Sequence, residues 1–307
     1  LYNIIGDNMK VLCIGHAAYD ITYLVEEFPK ENTKNRVKNR VECGGGPASN
    51  AAYLLGKWGI ETYFSGIVGH DLYGHNIKHE LEKVHVNIDY LEVSAKHITT
   101  SSFIIANREN GSRTVFTYRP SKMKMSNVDY DFTPDYILVD GQEYEMSMKA
   151  LDTYKDAISI IDAGRPRKEI IDLAKKCTYL VCSKEFAETV TEEKIDFDKV
   201  ETLESVYSKL EQEFKNNVVV TLESYGCMAR INGKLRIIPS LKVKALDSTG
   251  AGDIFHGAFV YGLVKKFSLE KTLKFANYAG AISVTRVGGR YSMPTLEEMK
   301  EVYDRFK

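Results

Sequence analysis

An α/β fold is the class this 307-residue sequence predicts, with three layers: a mostly parallel sheet, helices on both of its faces, and a small β-sheet lid. Three observations carry the prediction. From Tyr136 onward, β-rich and helix-periodic stretches alternate: strands at residues 136–140, 158–162, 179–182 and 218–222, helices at 146–154 and 169–175. That rhythm belongs to parallel strands joined by crossover helices. In the N-terminal half, β-rich runs at residues 21–25, 34–41, 101–106 and 113–118 fall outside the rhythm and read as the lid. Near the C-terminal end, a run of small residues, Asp247-Ser248-Thr249-Gly250-Ala251-Gly252-Asp253, opens an apolar helical stretch at residues 254–264. No repeat, low-complexity tract or Pro-rich linker divides the chain. Residues 9–307 therefore read as one domain whose discontinuous lid covers about 21–43 and 97–120. Met9 reads as the native start, and residues 1–8 stand outside the fold argument.

Taken in order, residues 10–15 form a short buried strand ending in Gly15, and the turn after it carries His16, Tyr19 and Asp20. Polar residues beyond the C-terminal end of a parallel strand sit where open α/β sheets bind ligands, although an Asp there also serves as a turn cap. Residues 34–41 alternate Lys34, Arg36, Lys38 and Arg40 with Asn35, Val37, Asn39 and Val41, the pattern of an exposed strand. A basic row of this kind attracts an anionic ligand or simply discourages edge pairing. Gly44-Gly45-Gly46-Pro47 leads into a helix with Pro in its first turn and Ala48, Ala51, Ala52, Leu55 and Trp58 on its apolar face. Residues 62–68 are the next strand, and a helix opens after His70-Asp71. His75 and His79 are four apart on that helix. With no third ligand and no HExxH pattern, they read as surface residues. Asn110-Gly111 lies between the last two lid runs and marks a hairpin.

The small-residue run is the strongest chemical signal. A helix start leaves several backbone N–H groups unpaired and pointing one way, at the positive end of the helix dipole. Without side chains, Gly250 and Gly252 let an anion approach that backbone, and Ala251 stands between them. Asp253 puts a carboxylate where an anion is expected. It is then either a helix N-cap or a general base that takes a proton from an attacking hydroxyl. After the first strand, Gly15-His16-Ala17-Ala18-Tyr19-Asp20 stands where a dinucleotide fold would carry GxGxxG, which argues against a nicotinamide enzyme.

Composition narrows the classes. The chain is 44% hydrophobic and 27% charged with a net charge of −1, so no overall field points to nucleic acid. No apolar run reaches membrane-spanning length and no secretory leader is read. The five cysteines, Cys13, Cys43, Cys177, Cys182 and Cys227, are odd in number and lack CxxC spacing, which predicts a reduced, cytoplasmic protein.

Residues 247–253, followed by Gly257-Ala258-Phe259-Val260, resemble the C-terminal signature of the ribokinase-like (PfkB) carbohydrate kinases. Gly45-Gly46, Asn50, Ala52, Gly59 and Gly69, at their spacings, are similar to the N-terminal signature of that family. The resemblance runs from Met9 to about Pro294 and implies an ATP- and Mg2+-dependent transfer of the γ-phosphoryl group to a primary hydroxyl of a small sugar. It implies that Asp253 is the base, with Gly250, Ala251 and Gly252 as the anion site. Asp20, Gly45, Gly46 and Asn50 would hold the sugar, and Glu143 at a strand end joins them. Ser183, Thr221, Gly226, Thr249, Asn277 and Gly288 would line the ATP site. Where the family usually carries Asn-Glu-x-Glu, this chain has Ser183-Lys184-Glu185-Phe186, which leaves Glu185 as the nearest carboxylate for the waters of magnesium. Asp247, with Thr249 and residues 286–290, implies a monovalent-cation site for K+. Residues 43–48 and 285–290 look most like the ketose-kinase branch, including ketohexokinase and sulfofructose kinase. Lys34, Arg36, Arg113 and Arg119 would suit a phosphate or sulfonate, so the expected substrate is a ketohexose or an anionic ketose derivative. Two other readings stay open: a non-catalytic sugar or nucleotide sensor on the same scaffold, and a ribose or nucleoside kinase. The lid is expected to pair subunits into a homodimer.

Overall fold

A computed structural model describes residues 9–305; residues 1–8, and Phe306 and Lys307 at the end of the expected domain, lie outside the described residues. Strand β1 (Val11–Ile14) lies inside the main sheet, paired in parallel with β4 (Thr62–Gly69) on one side and β8 (Tyr136–Val139) on the other. All four residues of β1 are fully buried. Val11 and Cys13 face one core and Leu12 and Ile14 the other, which is why the strand reads as an unbroken apolar run. Beyond β8 the sheet continues in parallel through β9 (Ile158–Ala163), β10 (Tyr179–Ser183) and β11 (Asn217–Thr221); beyond β4 it ends with β5 (Leu91–Ser94).

The rhythm breaks after β11. Strands β12 (Cys227–Ile231) and β13 (Lys234–Ile238) add an antiparallel hairpin, which gives the sheet nine strands among the described residues. Asn232 and Gly233 turn it with φ of 51° and 77°, the doubly positive geometry that Asn-Gly favours.

Helices α1 (Pro47–Lys57), α2 (Leu72–Lys83), α7 (Ala251–Val264), α8 (Leu269–Ser283) and α9 (Leu296–Arg305) cover the face of Val11 and Cys13. Helices α3 (Tyr144–Thr153), α4 (Lys168–Ala174), α5 (Lys184–Thr191) and α6 (Val200–Phe214) cover the face of Leu12 and Ile14. None of the helices among the described residues is long and apolar enough to cross a membrane.

The separate sheet has the order β3-β2-β6-β7, formed by β2 (Ala18–Val25), β3 (Asn39–Gly45), β6 (Ser101–Asn107) and β7 (Arg113–Tyr118). Its central pair, β2 and β6, is parallel, and the outer strands are antiparallel to them. Two expectations need correction here. The exposed strand expected at residues 34–41 begins only at Asn39, because β2 ends at Val25 and Leu24 pairs with Asn39, leaving nothing for the earlier residues to bond. Asp20 is not in a turn. It lies on β2, and Gly45 lies on β3, so these two sugar-side candidates sit on the lid sheet itself.

Candidate active site

Gly250 is the N-cap of helix α7; its φ of 75° is left-handed, and no side chain caps the helix there. Asp253 is therefore in the first turn and is not the N-cap that the plainer reading assigned to it. The N–H groups of Gly250 and Gly252 have no hydrogen-bond partner among the described residues. Ala251 differs from that expectation, since its N–H leans on the Ser248 carbonyl at 3.3 Å. A Cβ built on Gly252 would meet nothing within 4 Å, so this end of the helix is open on that side.

Asp253 Oδ2 accepts a 2.7 Å hydrogen bond from Asn50 Nδ2. Asn50 is 1% exposed, and Arg290 Nε donates to its Oδ1 at 3.3 Å, so the amide can present only its NH2 to Asp253. Arg290 is buried too. It donates to Glu80 Oε2 at 2.8 Å and to Ser49 Oγ at 2.5 Å, and its guanidinium lies 5.0 Å from the Tyr53 ring centroid. Glu80 Oε2 also accepts from the Gly44 N–H at 2.9 Å, and a Cβ on Gly44 would lie 2.3 Å from Arg290 Nη1. One arginine thus ties α1, α2, the base of the lid and the Asp253 carboxylate together.

Asp20 reaches toward the site from β2. A Cβ on Gly45 would lie 2.0 Å from its Oδ2, which explains the glycine in physical terms. Burial pushes the Asp20 carboxyl up to about 6, against a hydrogen bond from Ser102 and with the negative charge of Asp253 adding to the rise. The folded-state value lies above the ordinary 3.8, so the cost of ionising the buried carboxylate builds as pH rises from about 3.8 through about 6, and below about 3.8 it vanishes. We expect Asp20→Asn to be more stable than wild type near neutral pH by up to roughly 3 kcal/mol, and to lose that advantage in acid. Thermal unfolding across pH checks this, and equal stability at neutral pH would sink it.

Asp140, just past the C-terminal end of β8, is a brace. Its Oδ2 accepts from His16 N–H at 2.8 Å and Ala48 N–H at 3.1 Å, and its Oδ1 from Gln142 N–H at 2.9 Å. Burial raises its pKa and those three donors oppose the rise. The signal available in the sequence was an Asp at the C-terminal end of a strand.

The other candidates fall into separate groups. Glu143 is 3% exposed and both its oxygens are engaged, Oε1 by Arg119 at 2.7 Å and Oε2 by the Met125 N–H at 2.9 Å. It anchors the segment after β7 rather than standing open toward a ligand. Asp247 joins two loops, with Oδ1 accepting from Thr249 N–H at 2.9 Å and Oδ2 from Gly288 N–H at 2.8 Å. Beside it, Thr249 Oγ1 is buried with no hydrogen-bond partner among the described residues. Ser183 and Thr221 are register neighbours at the ends of β10 and β11. Ser183 caps α5 through Phe186 N–H at 3.0 Å, and Thr221 donates to the Cys182 carbonyl at 3.3 Å. Glu185 lies in an exposed ion pair with Arg165 at 3.1 Å. Gly226 has φ 103° and its Cβ would strike the Ile238 carbonyl at 2.1 Å, so chain packing alone requires glycine there. Asn277 donates to that same carbonyl at 2.7 Å and is 4% exposed. Gly46, with φ 95°, packs on the His16 carbonyl.

The lid rests on the small-residue run. Arg113 donates to the carbonyl and, at 2.9 Å, to the hydroxyl of Ser248, and the Ser248 N–H donates to the Gly111 carbonyl at 3.2 Å.

The sequence profile of the pfkB family carbohydrate kinases matches residues 8–296. The chain belongs to that family. The proteins to which the chain is similar differ in what they are named for. A nucleoside kinase of Methanocaldococcus jannaschii is 24% identical over 98% of this chain and 99% of its own length. A ketohexokinase of Mus musculus is 22% identical over 88% of this chain and 94% of its own. The solved ribokinase of Arabidopsis thaliana, complexed with ribose and ATP, superimposes with a TM-score of 0.78 at 23% identity, covering 96% of this chain and 98% of that one. The pfkB chain therefore has the ribokinase-like fold, and its family is one of phosphotransferases acting on sugar hydroxyls.

Proposed function

We propose that this pfkB-family protein binds ATP and transfers its γ-phosphoryl group to a primary hydroxyl of a small sugar. The observation that carries the reading is Asp253 in the first turn of α7, beside the unpartnered Gly250 and Gly252 amides and oriented by Asn50. Asp253 takes the hydroxyl proton as the oxygen attacks, and the two amides offset charge on the phosphoryl group in flight. Asp20, which a sugar hydroxyl would relieve by donating to it, and Gly45 hold the sugar from the lid side. The lid, seated on Ser248, excludes water. Ser183, Thr221, Gly226, Asn277 and Gly288 line the nucleotide side as proposed positions, several of them with packing duties already described.

Magnesium in such chemistry rides mainly on the nucleotide phosphates. Among the described residues, no group of three or more His, Cys, Asp or Glu could hold a metal alone, and Glu185 is fixed only by an exposed ion pair. The buried Asp247 carboxylate and the orphaned Thr249 hydroxyl are oxygen donors that fit a monovalent cation, which would neutralise Asp247 beside the helix start.

The ketose part of the reading rests on residues 43–48 and 285–290. Its anionic form loses support, because Arg119 is paired with Glu143 and Arg113 is held on Ser248. Lys34 and Arg36 lie on no strand. A coupled assay of ADP release with ATP and a panel of fructose, ribose and adenosine tests both levels. Turnover of fructose above the other two is expected; far faster turnover of ribose or adenosine overturns the ketose assignment. ATP binding without turnover of any acceptor overturns the kinase and leaves the sensor.

We also place the protein in the cytoplasm, on five cysteines that are all buried and unpaired. We read lid and sheet as one domain, and a second copy as the cover of the exposed Phe103, Phe116 and Tyr118 on one lid face. A monomeric scattering mass in solution would remove that dimer.

A further inference from the structure

His256 lies one turn behind the open end of α7 and is 4% exposed. Each of its ring nitrogens faces oxygen acceptors. Nδ1 is 2.7 Å from the Gly252 carbonyl oxygen and 3.2 Å from Asp162 Oδ2; Nε2 is 3.2 Å from the Val181 carbonyl oxygen. A neutral imidazole has one N–H, so one nitrogen would meet an acceptor lone pair to lone pair. Moving the proton to Asp162 does not remove the conflict. A carboxyl O–H could satisfy Nδ1, but the bare nitrogen would still stand against the Gly252 oxygen, the closest of the three contacts.

We propose that His256 carries protons on both ring nitrogens and, paired with an ionised Asp162, is a positioning residue for the anion-binding end of α7. The proposal rests on the kinase reading only for its consequence, not for the protonation itself. Gly252 has no side chain to fix it, and its carbonyl shares a peptide unit with the Asp253 N–H. Holding the carbonyl inward holds that N–H, and the first turn with it, toward the open side. The imidazolium also places a buried positive charge behind the Gly250 and Gly252 amides, where the transferred phosphoryl group would sit. A cation near a helix N-terminus opposes the dipole, so it needs a partner. The groups that bear on this pair are carboxylates from three elements: Asp162 on β9, Asp140 just past β8, and Asp253 on α7 itself. Burial raises the Asp162 carboxyl; His256 opposes the rise and Asp253 and Asp140 add to it, so the net shift is upward and the hydrogen-bond geometry of the imidazole, not this shift, carries the ion pair.

The direct test is a long-range 1H–15N correlation spectrum of the full-length protein near neutral pH, with His256 assigned by the signals lost in His256→Gln. Two protonated ring nitrogens are expected. A single-tautomer neutral ring overturns the charge whether or not any sugar is phosphorylated. Asp162→Asn is expected to return the ring to one proton in the same spectrum; an unchanged imidazolium would remove Asp162 from the pair. For the consequence, affinity for a non-hydrolysable ATP analogue, which carries the γ-phosphoryl group, is measured by calorimetry. His256→Gln keeps a donor for Gly252 but not the charge, and should weaken the analogue roughly tenfold, the coupling of unit charges on the order of 10 Å apart at an effective dielectric constant of about 20. Unchanged affinity for the analogue in His256→Gln would overturn the electrostatic role. If that variant does not fold, the wild-type spectrum still decides the protonation.

Discussion

Asp253→Asn should fold normally and lose roughly 10²–10⁴-fold in kcat, the range for a positioned acid–base group. The fold should survive because Asn is nearly isosteric and the Asn50 Nδ2 donor still finds an oxygen, at the place where it now reaches Asp253 Oδ2 at 2.7 Å. That bond fixes the new amide, so its NH2 turns toward the position from which a proton must be taken. The loss should lie in kcat more than in KM, because the proton moves only as the transition state forms. Nucleotide should bind as well as before or slightly tighter, with one negative charge gone from beside the helix start. The substitution also relieves Asp20, whose carboxyl the Asp253 charge helps to raise. Its value should therefore fall toward the ordinary carboxylate range, and a titration of Asp20 in the variant reads this independently of turnover. A variant that folds and keeps more than about a tenth of wild-type kcat would end the general-base assignment.

How much of this was legible in the sequence depends on distance along the chain. Strands such as β1 and β8 are short apolar runs buried on both faces, and residues 247–253 announce a helix start by composition alone, so both were read correctly. The β12–β13 hairpin lies outside the expected strands although Asn232-Gly233 is a strong local turn signal, because it departs from the βα rhythm that dominates this half of the chain. Alternation at residues 34–41 suggested a strand whose first half has no neighbour to pair with, and pairing is a tertiary fact. The same limit applies to the site. Asp253 and the glycines at the start of α7 are candidates that local chemistry alone proposes. Arg290 meets Asn50 across 240 residues, and Asp140 meets Ala48 across 92. No local pattern marks Arg290, and Asp140 shows locally only as an Asp at a strand end; their roles appear only when the helices and the lid come together.

Arg290 carries the second large effect. In Arg290→Met a side chain of similar length keeps much of the packing on Tyr53, while the donors to Glu80, Ser49 and Asn50 vanish together. Breaking a buried ion pair on one side typically costs about 3–5 kcal/mol. Here the Glu80 side chain is 21% exposed and keeps the Gly44 N–H, so water and that donor offset part of the cost, and about 2–4 kcal/mol is expected. A purely structural role would stop at the melting temperature. The geometry predicts more: with its Oδ1 released, the Asn50 amide is free to rotate, and Asp253 loses the one donor that orients it. The variant should then lose kcat at temperatures where it is fully folded, with KM for ATP little changed. Arg290→Lys restores the charge but not the fork that reaches three elements at once, so it should recover stability in part and kcat hardly at all. Side-by-side thermal unfolding and kinetics separate the two effects. A folded Arg290→Met with wild-type kcat would show that Asn50 holds its orientation without the arginine, and the link from Arg290 to Asp253 would have to be abandoned even if the stability loss is as large as expected.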